Sequence, residues 1–216
     1  MIHFLNATGR LTDYKDSISN IVKTVIERYE SIHSLKPFDV VVAENRTRVN
    51  PGQGVGGLTS TAHEIYLALD LDEKHPRKNI DVHLAPIVAH ELIHLLRAQA
   101  GLPSVPYCSL GDDVVGEGLA DHFSLFLYPK QDTGWIDSLP KEEFERMKLR
   151  FVKEHKSTQY DRIAWVYGAE YADIPYCAGY TLGYAVVKDY LEVHDKHIKD
   201  ILLKDADEII GVWENE

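Results

Sequence analysis

The chain has 216 residues, 23 Lys and Arg against 34 Asp and Glu, a formal net charge of −11, and 44% hydrophobic residues. That profile is globular rather than disordered, and its acidity argues against nucleic-acid and anionic-membrane partners, which call for a basic face. No apolar run approaches the ~18 residues of a membrane span, the opening MIHFLNATGR lacks the basic and long apolar parts of a secretory signal, and only Cys108 and Cys177 are available for a bridge. Free thiols and a cytoplasmic location are therefore the expectation.

In chain order, residues 2–7 read as a short strand. Residues 13–33 read as an amphipathic helix, with Ile18, Ile21, Val22, Val25, Ile26 and Tyr29 at helical spacing and a stop before Pro37. FDVVVA (38–43) reads as a buried strand. Residues 44–60 read as a loop, carrying Pro51 and glycines 52, 54, 56 and 57. Residues 63–70 alternate, with Ile65, Leu67 and Leu69 on one face and Glu64, Tyr66, Ala68 and Asp70 on the other. This predicts a half-exposed strand at a sheet edge. Residues 81–100 predict a helix stopped by Gly101 and Pro103. Further helices are expected at 112–127, with Asp112 as N-cap, at 140–155, and from Pro175 to about 193, followed by a helical C-terminus. The expected fold class is α+β: an N-terminal part, 1–103, with a small sheet and edge strand, and a mainly helical part, 104–216, in one catalytic domain.

The helix at 81–100 contains His90-Glu91-Leu92-Ile93-His94. Residues i and i+4 share a helical face, so two imidazoles can meet one Zn²⁺, and the glutamate between them can reach water on the metal's open side. Leu84, Ile87, Val88, Leu92, Leu95 and Leu96 supply an apolar face around them. Burying two His and a Glu among such residues is costly unless a metal offsets the desolvation.

Twenty-three positions after His94 comes Glu117-Gly-Leu-Ala-Asp121, again an i, i+4 pair in a predicted helix. Catalytic zinc takes three protein ligands, two His and one Glu being a known set. A ligand His usually donates its other N–H to a carboxylate. Glu117 is thus the candidate third ligand and Asp121 the candidate supporting carboxylate. His122 is a rival for the ligand place, but it points about 140° away from Glu117 around the helix.

HELIH followed by GEGLAD resembles the gluzincin metallopeptidases, and more closely the small bacterial predicted zinc-dependent proteases. The late stretch Ile174-Pro-Tyr-Cys-Ala-Gly-Tyr-Thr-Leu-Gly-Tyr184 is similar to the Pro-x-x-Ala-Gly-Tyr-x-x-Gly-Tyr block of that family, except that Cys177 stands where an aromatic residue is frequent. Tyr167-Gly168 and the segment GVGGLTSTAHEIYLALD are similar too. The resemblance spans about residues 50–190. It implies a zincin-like fold and zinc-dependent peptidase activity on a peptide or protein substrate.

Tyr176, Tyr180 and Tyr184 fall at i, i+4, i+8, beside a small-residue stripe of Gly179 and Gly183. Either these tyrosines pack, or one O–H faces the oxyanion of a tetrahedral intermediate. From the resemblance Tyr180 is the first candidate and Tyr184 the second. The strand at 63–70, with Tyr66, and the preceding Gly56 and Gly57 are candidates for binding an extended peptide through main-chain hydrogen bonds. Zinc peptidase is the expectation, with Glu91 as general base. A zinc hydrolase of non-peptide amides or esters, and an inactive zincin binding a peptide or partner, stand as alternatives.

Overall fold

Short runs of β-branched and apolar residues build a four-stranded sheet in the computed structural model, which describes residues 1–131 and 133–214. Strands β1 (Ile2–Leu5), β2 (Asp39–Glu44), β3 (Val55–Thr61) and β4 (Glu64–Leu69) are arranged in the order β1-β2-β4-β3. β1 pairs parallel with β2, and β2 parallel with β4, whereas β3 runs antiparallel to β4. Parallel neighbours need a crossover, and helix α1 (Lys15–Glu30) supplies it between β1 and β2. Its buried Ile18, Val22, Val25 and Tyr29 recur at the spacing of one helical face. Helix α2 (Pro76–Gln99) follows β4 and packs against α1, β3 and β4.

The segment 63–70 is an interior strand, not the edge that its alternation suggested. Alternation reports which face of a strand is wet, not which of its two edges is paired. Ile65, Leu67 and Leu69 are buried and Tyr66 is half-buried, yet β4 is bonded on both sides. The edge on that side belongs to β3, all but the last residue of which falls in the segment expected to be a loop. Glycines weaken a strand, so the sequence pattern does not reveal it. The antiparallel ladder, with Gly56 opposite Ala68 and Gly57 opposite Leu67, holds it nonetheless.

The chain divides into two compact units: Met1–Ala100 with Ser124–Gln131, and Gly101–Phe123 with Asp132–Glu216. The second is helical, so the molecule is α+β with four strands and eight α-helices among the described residues. Helix α3 (Leu110–Leu127) begins two residues earlier than expected, and Ser109, not Asp112, is its cap. The Asp112 carboxylate accepts from the Ser109 N–H at 3.0 Å, and the Ser109 hydroxyl accepts from the Asp112 N–H at 3.1 Å. This is a reciprocal capping box. Helix α4 (Lys141–Glu154) lies where the sequence pattern puts it. Helix α5 (Arg162–Tyr167) has no counterpart in that pattern. It is six residues long, and its N-terminus is capped by the Asp161 carboxylate accepting from the Ala164 N–H at 3.0 Å. Helix α6 (Ala178–His194) starts after Cys177 rather than at Pro175, because Cys177 takes a left-handed conformation, φ 58°. Helices α7 (Ile198–Ile201) and α8 (Ala206–Glu214) complete the C-terminal part. Both cysteines are buried and unbridged.

Within the helical unit, α3 and α6 meet at glycines. A methyl placed on Gly118 would stand 2.1 Å from the Gly183 carbonyl oxygen, and one on Gly183 would stand 2.1 Å from that of Val114. Contacts this short are with backbone and cannot be relieved by turning a side chain. Gly118→Ala is therefore expected to destabilise the protein by at least the ~1–3 kcal/mol of ordinary overpacking, read as a lower midpoint in denaturant unfolding. An unchanged midpoint would mean that the two helices do not approach this closely.

Candidate metal centre

The apolar side of α2 is buried at five of its six expected positions: Leu84, Val88, Leu92, Leu95 and Leu96 are in the core, and Ile87 is half-buried. His90 and His94 stand half-buried one turn apart. Their Nε2 atoms are 3.1 Å apart, with ring centroids at 4.9 Å. Zinc–nitrogen bonds of about 2.0–2.1 Å let two nitrogens at that separation address one ion. Glu91 is buried at 6% exposure, and its side chain lies against β3 at Gly57, where a methyl would come within 2.5 Å of its Cγ and 2.6 Å of its Oε1. Thr59, on the same strand, donates its hydroxyl to the Glu91 carbonyl at 3.2 Å.

Strand register separates the other residues expected beside the peptide. Gly57 pairs with Leu67, whereas Leu58 pairs with Tyr66 and Gly56 with Ala68. Side chains alternate between faces, so Tyr66 and Gly56 lie on the face opposite Gly57. Gly56 packs there against the Arg48 main chain, and a methyl on it would stand 2.2 Å from the Arg48 carbonyl oxygen. The Tyr66 hydroxyl accepts from Asn45 Nδ2 at 3.3 Å. Of these three residues, Gly57 alone is brought to Glu91.

On α3, Asp113, Glu117 and Asp121 form a stripe of buried carboxylates at i, i+4, i+8, with exposures of 5%, 5% and 3%. No Lys or Arg occurs on this helix, so the stripe needs donors from elsewhere. Arg162 of α5 donates Nη2 to Glu117 Oε1 at 3.1 Å, and its Nε lies 3.0 Å from Asp113 Oδ2. Tyr160 donates its hydroxyl to Asp113 at 2.9 Å, and Trp135 donates Nε1 to Asp121 at 2.9 Å. Burial opposes the Arg162 charge, but Glu117 and Asp113 outweigh it and raise its pKa further above the ordinary value. Sequence reasoning passes over Arg162. The available signal is this basic-free acidic stripe, which calls for a cation without saying which one.

The tyrosines divide into different environments. Tyr176 is exposed and precedes α6, so it is not part of a three-tyrosine helical stripe. Tyr180 is half-buried on α6. Its pKa is raised well above that of an ordinary phenol, first by burial and then by the Glu117 carboxylate, so it remains a hydroxyl donor. The Tyr184 ring stacks on His122 with centroids 3.9 Å apart, and the Tyr184 carbonyl accepts from His122 Nε2 at 2.9 Å. His122, the rival ligand, is thereby engaged with α6.

Among the described residues, His90, His94 and Glu117 form a group that could hold a metal ion, their ligand atoms lying within 4.8 Å of one another. Two imidazoles and a carboxylate match the donor set of a catalytic zinc. Comparison with protein families matches residues 18–211 to the family described as Predicted Zn-dependent protease (DUF2268). No curated protein and no solved structure matches the chain.

Proposed function

The chain belongs to this family of predicted Zn-dependent proteases, and from that premise we propose that it is a zinc metallopeptidase of the gluzincin type, hydrolysing peptide bonds with Glu91 as general base. The observation that carries the reading is the convergence of donor atoms from His90, His94 and Glu117 to within 4.8 Å of one another, on the HExxH spacing that puts a glutamate beside the ligands. These three residues would hold Zn²⁺, and Asp121 would orient a ligand imidazole as such carboxylates commonly do. When bound, zinc lowers the pKa of water toward about 7 and polarises the scissile carbonyl.

The chain's own groups do the rest. Glu91, buried and held beside β3, accepts a proton from the attacking water and returns it to the leaving amine. Tyr180, kept protonated, donates its hydroxyl to the developing oxyanion. The outer edge of β3 offers main-chain groups to an extended substrate, since a strand paired on one side only can accept another. Tyr184, stacked on His122, braces α6 against α3 and is the second candidate donor.

Tyr180→Phe is expected to lower kcat about 10²–10³-fold with bound zinc unchanged, and Tyr184→Phe to lower it much less. Steady-state kinetics on a peptide library checks this, and an unchanged kcat in Tyr180→Phe would remove Tyr180 from the mechanism. The reading as a whole is tested by metal analysis of the purified protein followed by that library. A zinc-free protein, or a zinc protein without turnover, would defeat it, and turnover of small amides or esters in place of peptides would change its substrate class.

A further inference from the structure

We infer that Gly57 is a positioning residue for Glu91: its missing side chain leaves the space in which the Glu91 carboxylate stands, so that β3 sets the place of the proposed general base. The inference rests on the reading of Glu91 as that base. Two independent ties join this strand to the residue. A methyl on Gly57 would lie 2.5, 2.6 and 2.8 Å from Glu91 Cγ, Oε1 and Cδ. Two residues along, where the β3–β4 register shifts between Leu58 and Thr61, the Thr59 hydroxyl donates to the Glu91 carbonyl at 3.2 Å.

Other reasons for a glycine do not apply at this position. Gly57 lacks the left-handed φ found at Gly54, +65°, so backbone conformation permits alanine. Its three nearest neighbours are all Glu91 side-chain atoms, whereas Gly56 faces the Arg48 backbone. The difference decides what a substitution does. At Gly56 a side chain would strike main chain. At Gly57 it would strike a rotatable side chain, which can swing aside while the strand stays in its ladder. Gly57→Ala should therefore fold, keep the ligand set and displace the carboxylate.

Two measurements on the zinc-loaded full chain test this. In peptide hydrolysis, Gly57→Ala is expected to lower kcat about 10²-fold, the cost of a misplacement near 1 Å, with KM and zinc content unchanged. A raised KM at unchanged kcat would assign Gly57 to substrate binding instead, and unchanged kinetics would remove it from the mechanism; either result overturns the inference. In thermal unfolding, Gly57→Ala is expected to lower Tm by about 2–4 °C in the Glu91 protein, and not in a Glu91→Ala background, where the space is vacant. An equal fall in both backgrounds overturns the steric basis. A wild-type protein without turnover would defeat the peptidase reading, while the stability cycle would still decide whether Glu91 is the group Gly57 accommodates.

Discussion

Glu91→Gln is expected to retain zinc and lose about 10²–10⁴-fold in kcat, the usual contribution of a positioned acid–base group. The amide is nearly isosteric with the carboxylate, so it fits the space beside Gly57 and leaves the Leu84, Val88, Leu92 and Leu95 face of α2 undisturbed. It cannot accept the water proton, and with no proton gained it has none to return to the amine. His90 and His94 are untouched, so metal content measured on the purified variant should equal that of the wild type. The paired readout distinguishes causes. Loss of turnover together with loss of zinc would make Glu91 part of the metal-holding set, and retained turnover would remove it from the chemistry. Because general-base catalysis acts in the transition state, KM should change little.

The contrast between Glu91 and its surroundings also marks what can be read from the sequence. The α2 motif is legible because a helix has one period: i, i+4 spacing fixes a shared face without knowledge of any partner. The amphipathic α1 is legible for the same reason, and the buried β2 as a short apolar, β-branched run. Strand β3 is not. Its glycines read as loop residues because intrinsic preference disfavours them, and the reason for them lies in other segments, the Glu91 side chain at Gly57 and the Arg48 carbonyl at Gly56. Pairing partners are likewise silent in an alternating pattern, which is why β4 resembles an edge and Tyr66 a substrate contact. The small-residue stripe at Gly183 does announce a close helix approach, and α3 meets it at Gly118. Arg162 stays hidden because α5 is too short to show a period, and its partners Asp113 and Glu117 lie 49 and 45 positions away. Local periodicity thus identifies the histidines and the glutamate between them. Long-range packing determines which residues hold those groups in place.

Glu117→Gln is expected to reduce zinc affinity by more than the roughly 10–100-fold that follows loss of an outer-shell partner, because a neutral amide replaces a charged donor. Glutamine is the informative choice over alanine. Glu117 is buried and accepts from Arg162 at 3.1 Å, and an amide oxygen can keep that bond. Alanine would leave the Arg162 Nη2 without this acceptor, adding a stability loss to the metal effect. The Asp113 contact, at 3.0 Å from Arg162 Nε, remains in either variant and continues to anchor α5 to α3. Denaturant unfolding of the metal-free forms should therefore differ little between Glu117→Gln and wild type, while competition against a chelator should differ strongly. If the glutamine variant holds zinc as tightly as the wild type, Glu117 is not a ligand, and the i, i+4, i+8 carboxylates of α3 are then only an internal ion-pair stripe. If zinc is lost while the apo protein stays equally stable, the Glu117 charge serves the metal, and Arg162 serves to hold the carboxylate.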